Sequence, residues 1–360
     1  MSKILSIGTA VPQYRHEQKK IFDFMQSVYA LNETEKRKMK FLYNHCGIET
    51  RYSVLPDYTL PADKWQFFNA TENLQPFPSL EKRMKCFRQY AAPLSHSAIN
   101  NCRKKFSDVK ITHLITVSCT GMSAPGLDLE LLELLDLPAD TWRTSLNFMG
   151  CYAAIHAMKI ADAICKTDKT ANVLIVCVEF CTLHFQKEPS EDNITSSLLF
   201  GDGVAAVLIT GNEEKEGMNI DHFYSTVSLK GKQDMVWEMS SKGFLMTLSS
   251  FVPDLIEEDF EKLVQGALKK AEIKKEDITH WCIHPGGKKI LEAVHHSLGF
   301  NDGQLQYCYD VLRDYGNMSS PTVLFVLDQI QQTLDKNRPN KIFGTAFGPG
   351  LTMETFILSA

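Results

Sequence analysis

One strand-turn-helix unit occurs twice in this chain of 360 residues, and that repetition constrains the fold more than any other feature. Gly150-Cys151 through Ala161-Asp162 parallels Gly316-Asn317 through Leu327-Asp328 at a constant offset of 166 residues. Ile111-Thr112-His113, leading into Leu114-Ile115-Thr116-Val117-Ser118, recurs as Ile278-Thr279-His280 leading into Trp281-Cys282-Ile283-His284. Phe200-Gly201-Asp202-Gly203-Val204 returns as Phe347-Gly348-Pro349-Gly350-Leu351. Such a chain builds two pseudo-symmetric α/β halves, here 1–215 and 216–360, and sets a thiol at Cys151 opposite an amide at Asn317. The segment Tyr152-Ala153-Ala154-Ile155-His156-Ala157-Met158 and its counterpart Thr322-Val323-Leu324-Phe325-Val326-Leu327 are apolar almost all round, which marks helices buried in the middle of the molecule. Two central helices between two sheets are therefore expected.

Apolar runs bounded by turn residues alternate with helical patterns elsewhere, as in an α/β protein with strands buried on both faces. Strands are expected at 3–12, 111–118, 172–179, 203–210, 219–230, 243–249, 278–284, 341–347 and 351–359. Helices are expected near 15–30, 33–44, 80–104, 126–135, 151–165, 252–271, 287–298 and 319–335. Pro56, Pro61, Pro76 and Pro78 mark 55–80 as irregular.

A net charge of −5, with 22% charged and 44% hydrophobic residues, describes an ordinary globular protein and offers no basic field for nucleic acid. No uncharged stretch reaches the roughly 18 residues of a membrane span, and the first residues run directly into a strand rather than a signal peptide. The ten cysteines lie scattered in apolar runs, without paired metal-ligand spacing, so no metal is expected and a cytoplasmic location is.

A cysteine at a helix N-terminus meets unpaired N–H groups and positive potential, which favour the thiolate below its free pKa of about 8.5. Cys151 has that setting, His284 ends a buried strand before Pro285-Gly286-Gly287, and Asn317 opens the second central helix. Together they suggest a nucleophile, an imidazole partner and an amide. Each also has a plain structural reading: a small buried cysteine under a glycine turn, a histidine bonded in a turn, an asparagine cap.

The residues resemble the type III polyketide synthases, the chalcone synthase-like family of thiolase-fold condensing enzymes. The matching segments are Cys119-Thr120-Gly121 with Pro125-Gly126-Leu127-Asp128, Gly150-Cys151-Tyr152-Ala153, Leu199-Phe200-Gly201-Asp202-Gly203, Ile283-His284-Pro285-Gly286-Gly287, Tyr315-Gly316-Asn317-Met318-Ser319-Ser320 and Phe347-Gly348-Pro349-Gly350-Leu351-Thr352-Met353-Glu354. The resemblance implies a layered αβαβα thiolase-like fold and a homodimer in which the loop around Ala124 reaches toward the partner's cavity. It implies that Cys151 takes an acyl starter from coenzyme A, with His284 as its ion-pair partner. Decarboxylative condensation with malonyl-CoA then follows, His284 and Asn317 donating to the enolate oxygen, and the chain closes to a pyrone, resorcinol or related phenolic. No permanently bound cofactor is implied, only coenzyme A thioesters as substrates.

Phe200 matches the family's gatekeeping phenylalanine; Thr120 and Ser319 fall in its cavity segments, and Gly348, Pro349 and Gly350 in its active-site loop. Lys38 stands where the family places a lysine for coenzyme A, but the arginine expected three residues later is Phe41, leaving Lys40 or Arg51 to substitute. Gly286 and Gly287 would let the pantetheine arm pass close to backbone. Met246 replaces a second gatekeeping phenylalanine and Trp237 a cavity glycine of the plant enzymes. Cys119, Cys181 and His184 stand where plant chalcone synthases carry threonines, which points to a bacterial member and away from a flavonoid product.

Three other readings compete. The order Cys, His, Asn also fits papain-like proteases, but the neighbourhood of Cys151 lacks their motif. A ketoacyl-acyl carrier protein synthase would perform one condensation, and a non-catalytic acyl-binding subunit none.

Overall fold

A computed structural model describes residues 1–71, 74–335 and 337–360. Its strands are β1 (Lys3–Ala10), β2 (Tyr14–Glu17), β3 (Thr50–Ser53), β4 (His113–Ser118), β5 (Trp142–Asn147), β6 (Asn172–Phe180), β7 (Asp202–Thr210), β8 (Met218–Val227), β9 (Met235–Ser240), β10 (Gly243–Leu248), β11 (His280–Ile283), β12 (Lys341–Gly348) and β13 (Thr352–Ser359). The helices are α1 (Gln18–Val28), α2 (Glu33–His45), α3 (Leu80–Arg103), α4 (Leu127–Leu134), α5 (Ala153–Thr167), α6 (Glu191–Leu199), α7 (Val252–Ala271), α8 (Lys288–Leu298), α9 (Gln306–Tyr315) and α10 (Thr322–Thr333).

The repeat is visible in the pairing. β4 runs parallel to β6, and β6 antiparallel to β7, which is antiparallel to β1. In the second half β11 runs parallel to β12, and β12 antiparallel to β13, which is antiparallel to β8. Even the strand entrances match: Thr112 Oγ1 lies 2.8 Å from His113 Nδ1 and donates to the Asn172 carbonyl, while Thr279 Oγ1 lies 2.8 Å from His280 Nδ1 and donates to the Lys341 carbonyl.

The two expected sheets are joined. Their order is β11-β12-β13-β8-β1-β7-β6-β4-β5, continuous because Lys3 and Ile4 of β1 pair with Asn219 and Met218 of β8. These are two wings hinged at one short ladder, with α5 and α10 between them. α5 touches β4, β6 and β7 of one wing and β13 of the other; α10 touches β11 and β12, and β1 and β7. Both bury most of their apolar residues, Ala153, Ala154, Ile155, Ala157, Met158 and Ala161 on one and Val323 to Leu327 on the other. α3 covers the outer face of the first wing and α7 that of the second, which completes the αβαβα layering.

Several elements escaped the sequence reading. β5 carries Trp142, Arg143, Thr144 and Ser145 exposed on a sheet edge, so it lacks the apolar alternation that marks a half-buried strand. It has no counterpart in the second half, where α9 occupies the stretch before the Gly316-Asn317 turn. β2 pairs with β3, and β9 with the expected strand β10, in two-stranded ribbons, and α6 begins with the polar run Glu191-Asp192-Asn193. The expected helix 15–30 starts only at Gln18, because the chain before it pairs with β3.

Candidate active site

Between β5 and α5 the chain reverses through Phe148 (φ +59°) and Gly150 (φ +79°), and Gly150–Tyr152 forms a single 3-10 turn. A Cβ at Gly150 would lie 2.2 Å from Pro349 Cδ, so the glycine admits both the left-handed backbone and the Gly348-Pro349-Gly350 loop. A Cβ at Gly348 would in turn lie 2.5 Å from Tyr152 Cδ1. One loop from each half of the chain thus packs against the other at the turn that carries Cys151.

Cys151 is 9% exposed, and burial pushes its thiol up to about 12; side chains of Ser319 and Asn317 oppose the rise and Glu179 adds to it. The expected lowering by the helix terminus does not occur in the resting molecule. The thiol enters α5 through a 3-10 turn inside a low-dielectric pocket, and desolvation outweighs the terminal N–H groups.

Cys151 Sγ lies 4.0 Å from Asn317 Oδ1. Asn317 is held on four sides: its N–H donates to the Leu199 carbonyl, its carbonyl accepts from Gly201 N–H, its Oδ1 accepts from Ser319 N–H, and its Nδ2 donates to the Gly286 carbonyl at 3.1 Å. These partners fix the amide's orientation and leave one Nδ2 hydrogen unassigned. Gly286 also ties this residue to His284, whose carbonyl accepts from Gly286 N–H. The His284 ring is 1% exposed, and neither nitrogen has a partner among the described residues. Burial lowers its pKa to about 3, so the ring is neutral, with a free lone pair.

One cavity opens onto Cys151. Its walls include all eight residues expected there, Phe200, Met246, Trp237, Cys119, Thr120, Cys181, His184 and Ser319, together with Pro349. Trp237 and Met246, the two departures from the plant pattern, are directly opposed across the β9–β10 ribbon. Trp237 Nε1 donates to the Cys119 carbonyl at 2.8 Å, and its ring stands edge-on to His184 and Phe244. His184 accepts from Phe244 N–H at Nδ1 and donates from Nε2 to the Thr120 carbonyl, which fixes the neutral Nε2–H tautomer; burial lowers its pKa to about 3. Cys119 Sγ accepts from Gly150 N–H at 2.9 Å, so it buttresses the turn that carries Cys151.

The entrance residues come out differently. Lys38 is exposed on α2, where it pairs with Glu191. Arg51 does not stand at a surface mouth: it is 3% exposed, its Nε donates to Gln18 Oε1 and its Nη1 to the Phe200 carbonyl. It lines the cavity beneath Phe200 and, contrary to the expectation from the sequence, presents no charge at the surface for coenzyme A phosphates. Gly286 and Gly287 follow His284; a Cβ on Gly286 would lie 3.7 Å from the imidazole, and one on Gly287 3.3 Å from Leu199 Cδ2.

The sequence reading passed over Glu179. Its carboxylate is fully buried and accepts from Cys119 N–H, Thr120 Oγ1 and Ser320 Oγ, at 2.9, 2.8 and 2.8 Å. Burial raises it to about 7 against these bonds. Its signal was present: one acidic residue near the end of the otherwise apolar run Val173-Leu174-Ile175-Val176-Cys177-Val178.

Comparison with known proteins adds an independent line. Residues 1–213 match the family model described as chalcone and stilbene synthases, N-terminal domain, and residues 225–360 the corresponding C-terminal domain. The chain is 30% identical over 363 residues to "Probable polyketide synthase 1" of Dictyostelium discoideum; the match covers 98% of this chain but only 11% of that much longer protein. It is 28% identical to "Putative chalcone synthase" of Bacillus subtilis, covering 100% of this chain and 99% of the other. Among solved structures, PKS-I from the brown alga Ectocarpus siliculosus superposes with a TM-score of 0.92 at 28% identity, covering 99% and 97% of the two chains. The C-terminal type III polyketide synthase domain of Steely1 from Dictyostelium gives 0.91 at 29%, covering 99% and 98%.

Proposed function

Because the chain belongs to the chalcone and stilbene synthase family, we propose that it is a type III polyketide synthase that loads an acyl-CoA on Cys151 and extends it by decarboxylative condensation with malonyl-CoA. One observation carries this reading: a single cavity with predominantly apolar walls joins Cys151 to Phe200, Trp237, Met246 and the Pro349 loop, while the repeat-related Asn317 touches the thiol.

The chemistry follows from the resting protonation states. The thiol and the imidazole are both neutral, so His284 takes the Cys151 proton as sulfur attacks the thioester carbonyl, and the coenzyme A thiolate leaves. The ion pair forms along the reaction and is not stored beforehand. In the extension step malonyl-CoA loses CO₂, and its enolate oxygen receives hydrogen bonds from His284 and from the second Nδ2 hydrogen of Asn317. Phe200 faces this step with an apolar ring, which disfavours the carboxylate. The enolate carbon then attacks the acyl-Cys151 carbonyl and frees the thiol; the extended chain returns for further rounds and cyclises to a pyrone, resorcinol or related phenolic.

Gly286 and Gly287 flank the path of the pantetheine arm, and Lys38 offers a surface charge for coenzyme A. Gly348, Pro349 and Gly350 cap the nucleophile's turn. We assign a homodimer, supported by the exposed edge strand β5 with Trp142, and by Met122 beside the Ala124 loop. No helix among the described residues is long and apolar enough to cross a membrane.

Purified protein given malonyl-CoA and a panel of acyl-CoA starters, with products read by mass spectrometry, tests the reading. Polyketides are expected without a carrier protein, and none from Cys151→Ala. A single condensation that needs a carrier protein would instead make it a ketoacyl-acyl carrier protein synthase, and absence of malonyl decarboxylation a non-catalytic subunit.

A further inference from the structure

The cavity wall supplied by α1, β3 and α6 differs from the aromatic wall around Trp237. It contains Ile21 and Met25, Arg51, and Asn193 and Ser196. Two hydrogen-bond donors in it are buried with no partner among the described residues, Arg51 Nη2 and Ser196 Oγ. Such groups are few in folded proteins, and each calls for an explanation.

Arg51 is the more demanding of the two. A guanidinium carries its charge at any accessible pH, and burial without an anion is costly. The groups it does reach, Gln18 Oε1, the Phe200 carbonyl and the nearby Tyr43 hydroxyl, are neutral. No ion pair to Arg51 occurs among the described residues. Asp202, the one carboxylate that acts on it electrostatically, is committed elsewhere, accepting from Val54 N–H, Thr182 N–H and Thr182 Oγ1. A second buried arginine sharpens the contrast: Arg83 also has an unpartnered Nη2, but it sits over the Phe77 ring and lies outside the cavity wall. The third orphan facing the cavity, Gln186 Oε1, needs a donor and is no part of the same site.

What fits a buried cation and a hydroxyl on the same cavity wall, each with an unpartnered donor, is a carboxylate: it accepts from both and neutralises the charge. It would have to enter through the cavity, on a molecule whose reactive end reaches Cys151. Resting on the function proposed above, we propose that Arg51 and Ser196 form a carboxylate-binding subsite for the acyl portion of a coenzyme A thioester. The carboxylate has two possible sources, the distal end of a dicarboxylic acid starter or the malonyl group before decarboxylation.

Two assays on the full-length enzyme separate them. The first compares single-turnover acylation of Cys151 by glutaryl-CoA and by valeryl-CoA, of equal chain length, using intact mass. The second measures KM and kcat for malonyl-CoA decarboxylation. If the starter is the source, wild type loads glutaryl about tenfold more efficiently than valeryl, and Arg51→Gln or Ser196→Ala removes the preference while valeryl loading persists. If malonyl is the source, the same variants raise KM for malonyl-CoA about tenfold with little change in kcat, and valeryl loading is unaltered. Ser196→Ala and the wild-type comparison stand even where Arg51→Gln does not fold. A wild type that prefers valeryl, together with a malonyl KM unmoved by Ser196→Ala, would overturn the subsite while leaving the synthase intact. Loss of both valeryl loading and malonyl decarboxylation in wild type would overturn the function itself.

Discussion

Cys151 Sγ and Asn317 Oδ1 lie 4.0 Å apart, and the two residues hold equivalent places in the two halves of the chain. The duplication therefore brings its own two turns face to face, and the site is the point where one half keeps a thiol and the other an amide. Pseudo-symmetry makes the contact, because each turn opens a central helix and the central helices are packed between the same two wings.

The resting state of that thiol has a direct consequence. With burial holding Cys151 up at about 12, alkylation by iodoacetamide at pH 6 is expected to be no faster than for glutathione, and to accelerate as pH rises. Intact mass and peptide mapping after timed quenching provide the measurement. Preferential labelling of Cys151 at pH 6 would show a preformed ion pair with His284.

His284 and Asn317 differ in what each touches. Neither ring nitrogen of the buried imidazole has a partner among the described residues, whereas the Asn317 amide is held by backbone and by the Cys151 contact, with one Nδ2 hydrogen left over. His284→Ala is expected to slow both acyl loading and malonyl decarboxylation. Asn317→Ala should slow decarboxylation by roughly 10²–10³ while largely sparing loading, as for loss of one oxyanion donor. Equal loss of loading in both variants would remove this division of labour.

How much of this was legible follows from which residues carry a local pattern. The repeat, the central helices and most buried strands could be read because their burial is written as apolar runs. β5 and α6 could not: a polar edge strand and a polar-headed helix satisfy no periodicity, and tertiary neighbours place them. Among site residues, Cys151, His284 and Asn317 stand in glycine-marked turns that punctuate the chain. Arg51 showed only a positive charge, which in sequence reads as surface; its burial beneath Phe200 depends on β3 pairing with β2 and packing against α9 and β7, contacts that no local window contains. The thiol's acidity was misjudged for the same reason, since a helix terminus is local and desolvation is not.

Glu179 gives a pH dependence with a definite sign. Its folded pKa, about 7, lies above the ordinary carboxylate value of 4.5, so between these values the folded state holds the proton more tightly than the unfolded chain. The stability it contributes is complete below about pH 4.5 and is lost as pH rises through about 7. Glu179→Gln carries no such proton, so its melting temperature relative to wild type should climb from pH 4.5 to pH 7.5. Thermal unfolding across that range in constant ionic strength measures it. A difference that stays flat would mean that Glu179 is not protonated in the fold.

Trp237 sets the reach of the cavity. Its indole is pinned to the Cys119 carbonyl and wedged against His184 and Phe244, while Met246 stands beside it across the ribbon as an unbranched, adaptable side chain. The rigid ring closes the direction that a bulky aromatic starter would need, and Met246 can yield to a slender alkyl chain. Linear acyl-CoA starters with few extensions are therefore expected in wild type. Trp237→Gly should admit larger starters or lengthen the product, at a stability cost of about 3 kcal/mol or less, since the ring is only half-buried. Met246→Phe should act oppositely and restrict the alkyl chain, because a planar ring cannot bend aside. Competition between hexanoyl-CoA and benzoyl-CoA, with product masses compared across the three enzymes, measures both shifts. An unchanged starter ratio and unchanged masses in a folded Trp237→Gly enzyme would move the boundary of the cavity away from this ribbon, to the wall that carries Arg51 and Ser196.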